Sequence, residues 1–320
     1  MSVLHPFEPD RTLDREPVLL PGRVYLRDRP EITIARPTLG LALYTDAPTE
    51  WAMEHAARIA ERFVELVGVT RFRCFMTSQL SRWRTADEES IPGLLRDLRA
   101  GHVLNQARHL FTFRLADEAC APRYELTYRE VNERRSNRLG YLRLTLPHDH
   151  PADDLLALAL EISQTAPIWT GIGGFMLSGN PLYRQETYTW GLAWARRCWG
   201  LHLAELEDYA RLGRDLLPGT GWLNVLGQPA LDALGLDLDR VDEATPASVA
   251  VMRLQRGALI RAGAAPVLGD ANLMNAPTDL AALARALEPH LPVEAPPFPE
   301  PFGELATPWL HRFAHPEAWT

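Results

Sequence analysis

Apolar positions along this chain recur with two periods, and the switches between those periods mark out its elements. From 49 to 67, Ala52, His55, Ala56, Ile59, Phe63, Leu66 and Val67 fall at helical spacing and Gly68 follows, which predicts a helix with a glycine stop. Ahead of it, runs at 18–26, 32–35 and 39–45 predict strands. Behind it come a strand over 71–77, a helix over 91–99 stopped by Gly101, and strands over 110–115 and 124–129 rich in aromatic and β-branched residues. The second half opens on a strand over 139–146, a helix from Pro151 to Gln164 and a strand over 168–177. A helix over 181–211 with a break near Gly200 follows, then a strand around Trp222 ending at Leu226-Gly227. A proline-opened helical turn, a polar linker, a strand pair between Ser248 and Gly263, and a helix over 277–288 complete the pattern.

Strands are grouped, with helices between the groups and no strict alternation. That predicts an α+β fold, a mixed and largely antiparallel sheet with helices packed on it. Strand, helix, strand occurs twice, with Leu39-Gly40 and Leu139-Gly140 in matching places, a weak pseudo-repeat of halves at 18–130 and 131–290. Residues 1–17 are polar and proline-spaced, a flexible lead-in. The tail over 291–320 begins with the proline-rich LPVEAPPFPEPF, which cannot form a regular element, and its end is expected to dock back through Trp309, Leu310 and Phe313.

The chain has 320 residues, enough for a large core, and a net charge of −8 in which every basic residue is arginine. The acidic balance argues against direct nucleic-acid binding, which needs a basic surface, and suits a basic protein partner. Cys74, Cys120 and Cys198 are scattered and odd in number, so neither a disulfide framework nor a zinc site follows. No basic-flanked apolar leader opens the chain and no run reaches the roughly 18 apolar residues of a membrane span, so a cytoplasmic protein without membrane contact is expected.

Candidate chemistry is sparse. LPHDHPADD places His148, Asp149, His150, Asp153 and Asp154 together, an array with metal-ligand or acid/base character. The same residues fit a helix start, with Pro151 at the first position and carboxylates in the positive first turn. GIGGF at 171–175 lacks the spacing of a phosphate loop and reads as a bulge or close helix contact. Tyr183, Thr187, Trp190, Trp194, Cys198 and Leu201 make a helical stripe that reads as core, with interface anchors as the other use of its tryptophans. Glu205, Glu207 and Asp208 form a compact acidic patch, a solvated face or a docking surface. Cys74 sits in the strand run RFRCFMT with no cue for a paired histidine. No catalytic residue, metal site or cofactor is assigned.

The segment GTGWLNVLGQPALDALG (219–235) and, further on, SVAVMRLQRGALIRAGAAPVLGDAN (248–272) is the most specific part of the chain. It resembles the type VI immunity family, whose members carry a G-x-x-W-L-x-x-L-G run, then a strand pair ending in a stretch like A-G-x-x-P-x-L-G-D-x-N, then a closing helix. Here those parts are Gly219, Trp222, Leu223, Leu226 and Gly227, then Ala262, Gly263, Pro266, Leu268, Gly269, Asp270 and Asn272. The resemblance spans most of residues 30–290 and implies a protein that binds and neutralises a cognate toxin of a contact-dependent secretion system, a VRR-Nuc type nuclease, by covering it. It implies no enzyme. The motif residues look architectural, and Glu205, Glu207, Asp208, Asp149, Asp153 and Asp154 are the acidic candidates for partner contact. The alternatives from other classes are a metal-assisted hydrolase built on His148, Asp149 and His150, and an adaptor that loads an effector without inhibiting it.

Overall fold

The computed structural model describes residues 23–26, 29–46, 49–78, 80–100, 111–130, 138–203, 206, 209–210, 215–271, 277–295 and 303–319, so the lead-in at 1–17 lies outside it. In chain order the elements are β1 (Val24–Leu26), β2 (Arg29–Thr45), α1 (Thr49–Val67), β3 (Cys74–Thr77), β4 (Arg84–Thr85), α2 (Ser90–Ala100), β5 (Thr112–Ala116), β6 (Glu125–Arg129) and β7 (Gly140–Pro147). The second half adds α3 (Ala152–Thr165), β8 (Thr170–Gly179), α4 (Arg184–Arg197), β9 (Leu223–Gly227), α5 (Gln228–Leu234), α6 (Leu238–Ala244), β10 (Val249–Leu254), β11 (Gly257–Ala262), α7 (Thr278–Leu287) and α8 (Ala306–Leu310). The strands form one 11-stranded sheet in the order β10-β11-β9-β8-β2-β7-β6-β5-β3-β4, with β1 beside β2. Each of these ladders is antiparallel, and a parallel contact occurs as the isolated bridge between Met176 and His202. The fold is α+β.

β2 is the centre of the sheet and is buried on both faces. Leu39, Leu41 and Leu43 point to one side, into a core with Ala56, Ile59 and Phe63 of α1, Leu95 of α2, and Leu155, Leu158 and Ile162 of α3. Their alternate neighbours Ala42 and Tyr44 point the other way, into a core with Trp190 and Trp194 of α4 and with Trp309 and Trp319 of the tail. Period-2 alternation on a strand and period-3.6 stripes on the helices thus meet as three layers. A third cluster fills the end of the sheet, where Leu226 and Ile260 meet Leu231, Val241, Leu283 and Leu287 of α5, α6 and α7.

Several elements differ from the sequence expectation for identifiable reasons. The two strands expected at 32–35 and 39–45 are one strand, because Pro37 costs it no ladder bond. Pro37 faces Leu177, whose amide donates away to the His202 carbonyl, and β7 has already ended at Pro147 opposite Thr38. The polar linker contains α6, whose capping side chain, Asp237, accepts from the Asp239 amide, while Val241 is buried. The helix expected over 181–211 begins as a single turn at Pro181–Tyr183 and runs as α4 to Arg197; the expected break falls at 198–203, where His202 pairs with β8, and Leu206, Tyr209 and Ala210 beyond it are helical again. Pro151 caps α3 as the residue before its first turn, one place earlier than expected. The two strand-helix-strand units share their order, but β7, β6 and β5 separate β3 from β2, whereas β2 alone separates β8 from β7.

The tail is part of the core. Trp309, Leu310 and Phe313 are buried, and Arg312, 2% exposed, lies between the Trp309 and Phe313 rings at 4.3 and 4.2 Å. Its guanidinium donates to the carbonyls of Trp199 at 2.7 Å, Trp309 at 2.7 Å and Leu201 at 3.4 Å, so it satisfies backbone oxygens exactly where α4 breaks off. Truncating a fully buried tryptophan costs roughly 3–5 kcal/mol. Trp309→Ala is therefore expected to lower the unfolding free energy from urea titration by that much, seen as a lower midpoint at an unchanged m-value, and wild-type stability in this variant would show the tail to be dispensable.

Candidate functional site

The 219–272 segment is built as scaffold. Gly219 has φ +136°, a region closed to most side chains. At Gly227 a Cβ would stand 1.9 Å from the Ile168 carbonyl, so only glycine lets β9 meet the turn before β8. Trp222 is 2% exposed, and its indole N–H donates to the Gly263 carbonyl at 3.3 Å, tying the strand pair to the start of β9. Asn224 grips both backbone groups of Gly221, accepting from its N–H at 3.0 Å and donating to its carbonyl at 2.7 Å. Past Gly269, the buried Asp270 bridges Cys198 and accepts from Arg197 through both carboxylate oxygens at 3.3 Å, which fastens this segment to the end of α4. Asn272 lies outside the described residues.

At the β7–α3 junction the pairing seen is local. His150 Nε2 lies 2.9 Å from Asp154 Oδ2, one turn along the helix, while Asp149 and Asp153 are exposed. Among the described residues no group of three or more His, Cys, Asp or Glu side chains stands together as a metal site, so His148, Asp149 and His150 find no further ligand there. Glu205, Glu207 and Asp208 lie outside the described residues, and neighbouring Leu206 is buried. Trp190, Trp194, Cys198 and Leu201 are core. Burial, then the Asp117 carboxylate, pushes the Cys74 thiol up to about 12, so it carries no thiolate at neutral pH.

The strongest electrostatic feature is one that sequence reading passes over. On β5, β6 and β7, Phe113, Leu115, Leu126, Leu142 and Leu144 face the α1 side, and the alternate positions carry Arg114, Glu125, Thr127 and Arg143. Glu125 is 0% exposed. Arg114 donates to its Oε1 through Nε at 3.0 Å and Nη2 at 2.5 Å, Thr127 donates to the same oxygen at 2.9 Å, and Arg143 donates to Oε2. Arg114 also stacks on Trp83 at 4.8 Å. Burial pushes the Glu125 carboxyl up, but Arg143 and Arg114 outweigh it and hold the group down at about 2. The only sequence signal was charged residues set between apolar ones in strand runs, which ordinarily means a solvated face.

A family model described as type VI immunity for VRR-NUC (TsiV) matches residues 57–313, and the chain belongs to that family. Among solved structures, the Pseudomonas aeruginosa T6SS protein PA0821 is similar at TM-score 0.77 and 20% identity, covering 97% of this chain and 92% of that one, which shows a shared fold. No curated protein matches the chain. An immunity family suggests a non-catalytic role. Among the described residues no helix is long and apolar enough to cross a membrane.

Glu125 ties acid sensitivity to this cluster. A carboxyl held below its unfolded value stabilises the fold above that value, near 4.5, and loses its contribution as pH falls towards 2. Glu125→Gln leaves two guanidiniums facing a neutral amide and is expected to cost about 3 kcal/mol at pH 7. Urea titrations should show the gap between wild type and variant closing between pH 4.5 and 2; a gap independent of pH would remove the cluster's assigned charge state.

Proposed function

We propose that this protein protects the cell that makes it by binding a VRR-Nuc type toxin in the cytoplasm and holding it inactive as a one-to-one complex. Membership of the immunity family across residues 57–313 is the observation that supports this reading. Inhibition is stoichiometric. No bond is made or broken by this chain, which masks the toxin's catalytic or DNA-binding surface. A nuclease must present positive potential to hold phosphates, and a partner of net charge −8 is drawn to such a surface over several ångströms before contact. Tight protection needs a standard-size interface of about 1,600 Å² with a few anchoring side chains.

The acidic residues proposed for partner contact are Asp149, Asp153 and Asp154, where β7 turns into α3, and Glu205, Glu207 and Asp208, which lie outside the described residues. Asp149 and Asp153 are exposed, so charge reversal at those two positions tests the surface without disturbing the core. Co-expression with the cognate toxin should restore growth of cells that the toxin alone kills. The double variant Asp149→Arg, Asp153→Arg should bind the purified toxin about 10-fold more weakly at low salt, as expected for losing steering and a charge-assisted contact or two. Unchanged affinity would take this junction out of the interface. Failure of the wild-type chain to rescue growth would overturn the immunity reading, and toxin delivery without rescue would make the protein an adaptor.

A further inference from the structure

The sheet's path ends in β10 on one side and β4 on the other, and the two outer strands differ. β4 is two residues long, which leaves little backbone for a further strand to join. β10 runs six residues in unbroken register with β11, from Val249 opposite Ala262 to Leu254 opposite Gly257. The phase of this ladder follows from its open end. The Gly263 amide donates to the Ser248 carbonyl at 3.1 Å, so Ser248 turns its backbone towards β11, and Ala250, Met252 and Leu254 follow at alternate places. Val249 turns the other way and donates to the Pro246 carbonyl at 2.8 Å. Val251 and Arg253 share the phase of Val249, and among the described residues no hydrogen bond reaches their outward N–H and C=O groups. Proline, bulge and free lysine, the usual guards of such an edge, do not occur on β10, and its one cation is turned onto Asp239.

We propose that β10 takes an extended basic segment of the toxin as a twelfth strand, which rests on the immunity reading and names a surface it uses. A row of outward N–H and C=O groups at strand spacing is matched by another strand and by no globular side-chain patch. Val251 is half-buried against the helices of one face, and Met252 and Leu254 against the core of the other, so an added strand would find apolar ledges above and below it. The charge beside the edge sets the partner's chemistry. α6 is tied to β10 where Asp239 accepts from Arg253, and Asp242 and Glu243, three and four residues on, lie on that same side of the helix. Both are exposed, and among the described residues neither is in an ion pair. Basic side chains on the incoming strand would meet them, and nucleic acid is repelled by them. A second copy is disfavoured, because two antiparallel β10 strands about a twofold axis would set both α6 helices on one sheet face, acid beside acid. The edge is a separate surface from the β7–α3 junction, since β11, β9, β8 and β2 lie between β10 and β7.

Hydrogen exchange on the full chain, free and with the purified toxin, reads the added strand directly. In the free protein the amides of Val251 and Arg253 should exchange faster than those of Ala250, Met252 and Leu254. In the complex, Val251 and Arg253 should slow by at least about 10-fold. Val251→Pro removes an outward N–H and no bond to β11, so the fold is kept, and toxin affinity should fall about 30-fold. Asp242→Arg with Glu243→Arg should weaken binding about 10-fold at low salt and less at high salt. Unchanged exchange at Val251 and Arg253 in a formed complex overturns the proposal and leaves the immunity reading standing, and the exchange result decides even where Val251→Pro does not fold. Full affinity in a folded Val251→Pro variant overturns it in the same way. A wild-type chain that neither binds the toxin nor rescues growth overturns the immunity reading and this proposal with it. Dimers of the wild-type chain in sedimentation that Val251→Pro abolishes overturn the choice of occupant and give the edge to a second copy.

Discussion

A strand with no solvent face organises this molecule. β2 is hydrogen-bonded on both edges and covered on both sides, so each side chain from Leu39 to Tyr44 needs a partner from a different part of the chain. Leucines at alternate positions call for α1, α2 and α3 on one side. Ala42 and Tyr44 call for α4 and the C-terminal tail on the other. Removing either layer would expose one whole face of the central strand, and burial of that apolar area is the largest favourable term available to the fold. The sheet can be wide because its middle is anchored in this way, and its outer strands need only one covered side.

That difference between middle and flank decides where polar chemistry can sit. Over β5, β6 and β7 one face packs on α1 and α2, and the other is released from the demand for apolar side chains, so it carries Arg114, Thr127, Arg143 and Glu125. The resulting charge network is paid for by its own hydrogen bonds, which satisfy both carboxylate oxygens of Glu125. The run through Gly219, Trp222 and Gly227 has a different job. It sets how closely β9 approaches its neighbours and how the strand pair hangs on it, and so the family's motif speaks to architecture.

Local pattern was enough to read most of the elements. The stripe in α1, the alternation of Leu39, Leu41 and Leu43, and the glycine breaks around β9 each state their structure within a few residues, because one period dominates the window. α6 was hidden because four of its seven residues are charged, and its helix is announced by a cap, Asp237, and one buried valine. Pro37 suggested a break that pairing made harmless. The Arg114–Glu125–Arg143 cluster was illegible for another reason: its members lie on three strands, and only the sheet's register brings them into one row. The acidic set at the start of α3 could be placed on a helix end from sequence, and the structure puts Asp149 and Asp153 at the surface there. Whether a partner meets them is a property of two molecules and has no trace in the spacing of one.

The position of Trp309 and Arg312 has a consequence for how the protein is born. One plugs the layer beneath β2 and the other caps the carbonyls where α4 breaks off, across sequence separations of 113 and 111 residues. The α1–α3 layer can assemble from residues that follow one another in the chain, but the opposite layer stays unsealed until the 303–319 segment has been made and has docked. A product lacking that segment would carry a gap under its central strand and be marked for disposal rather than service.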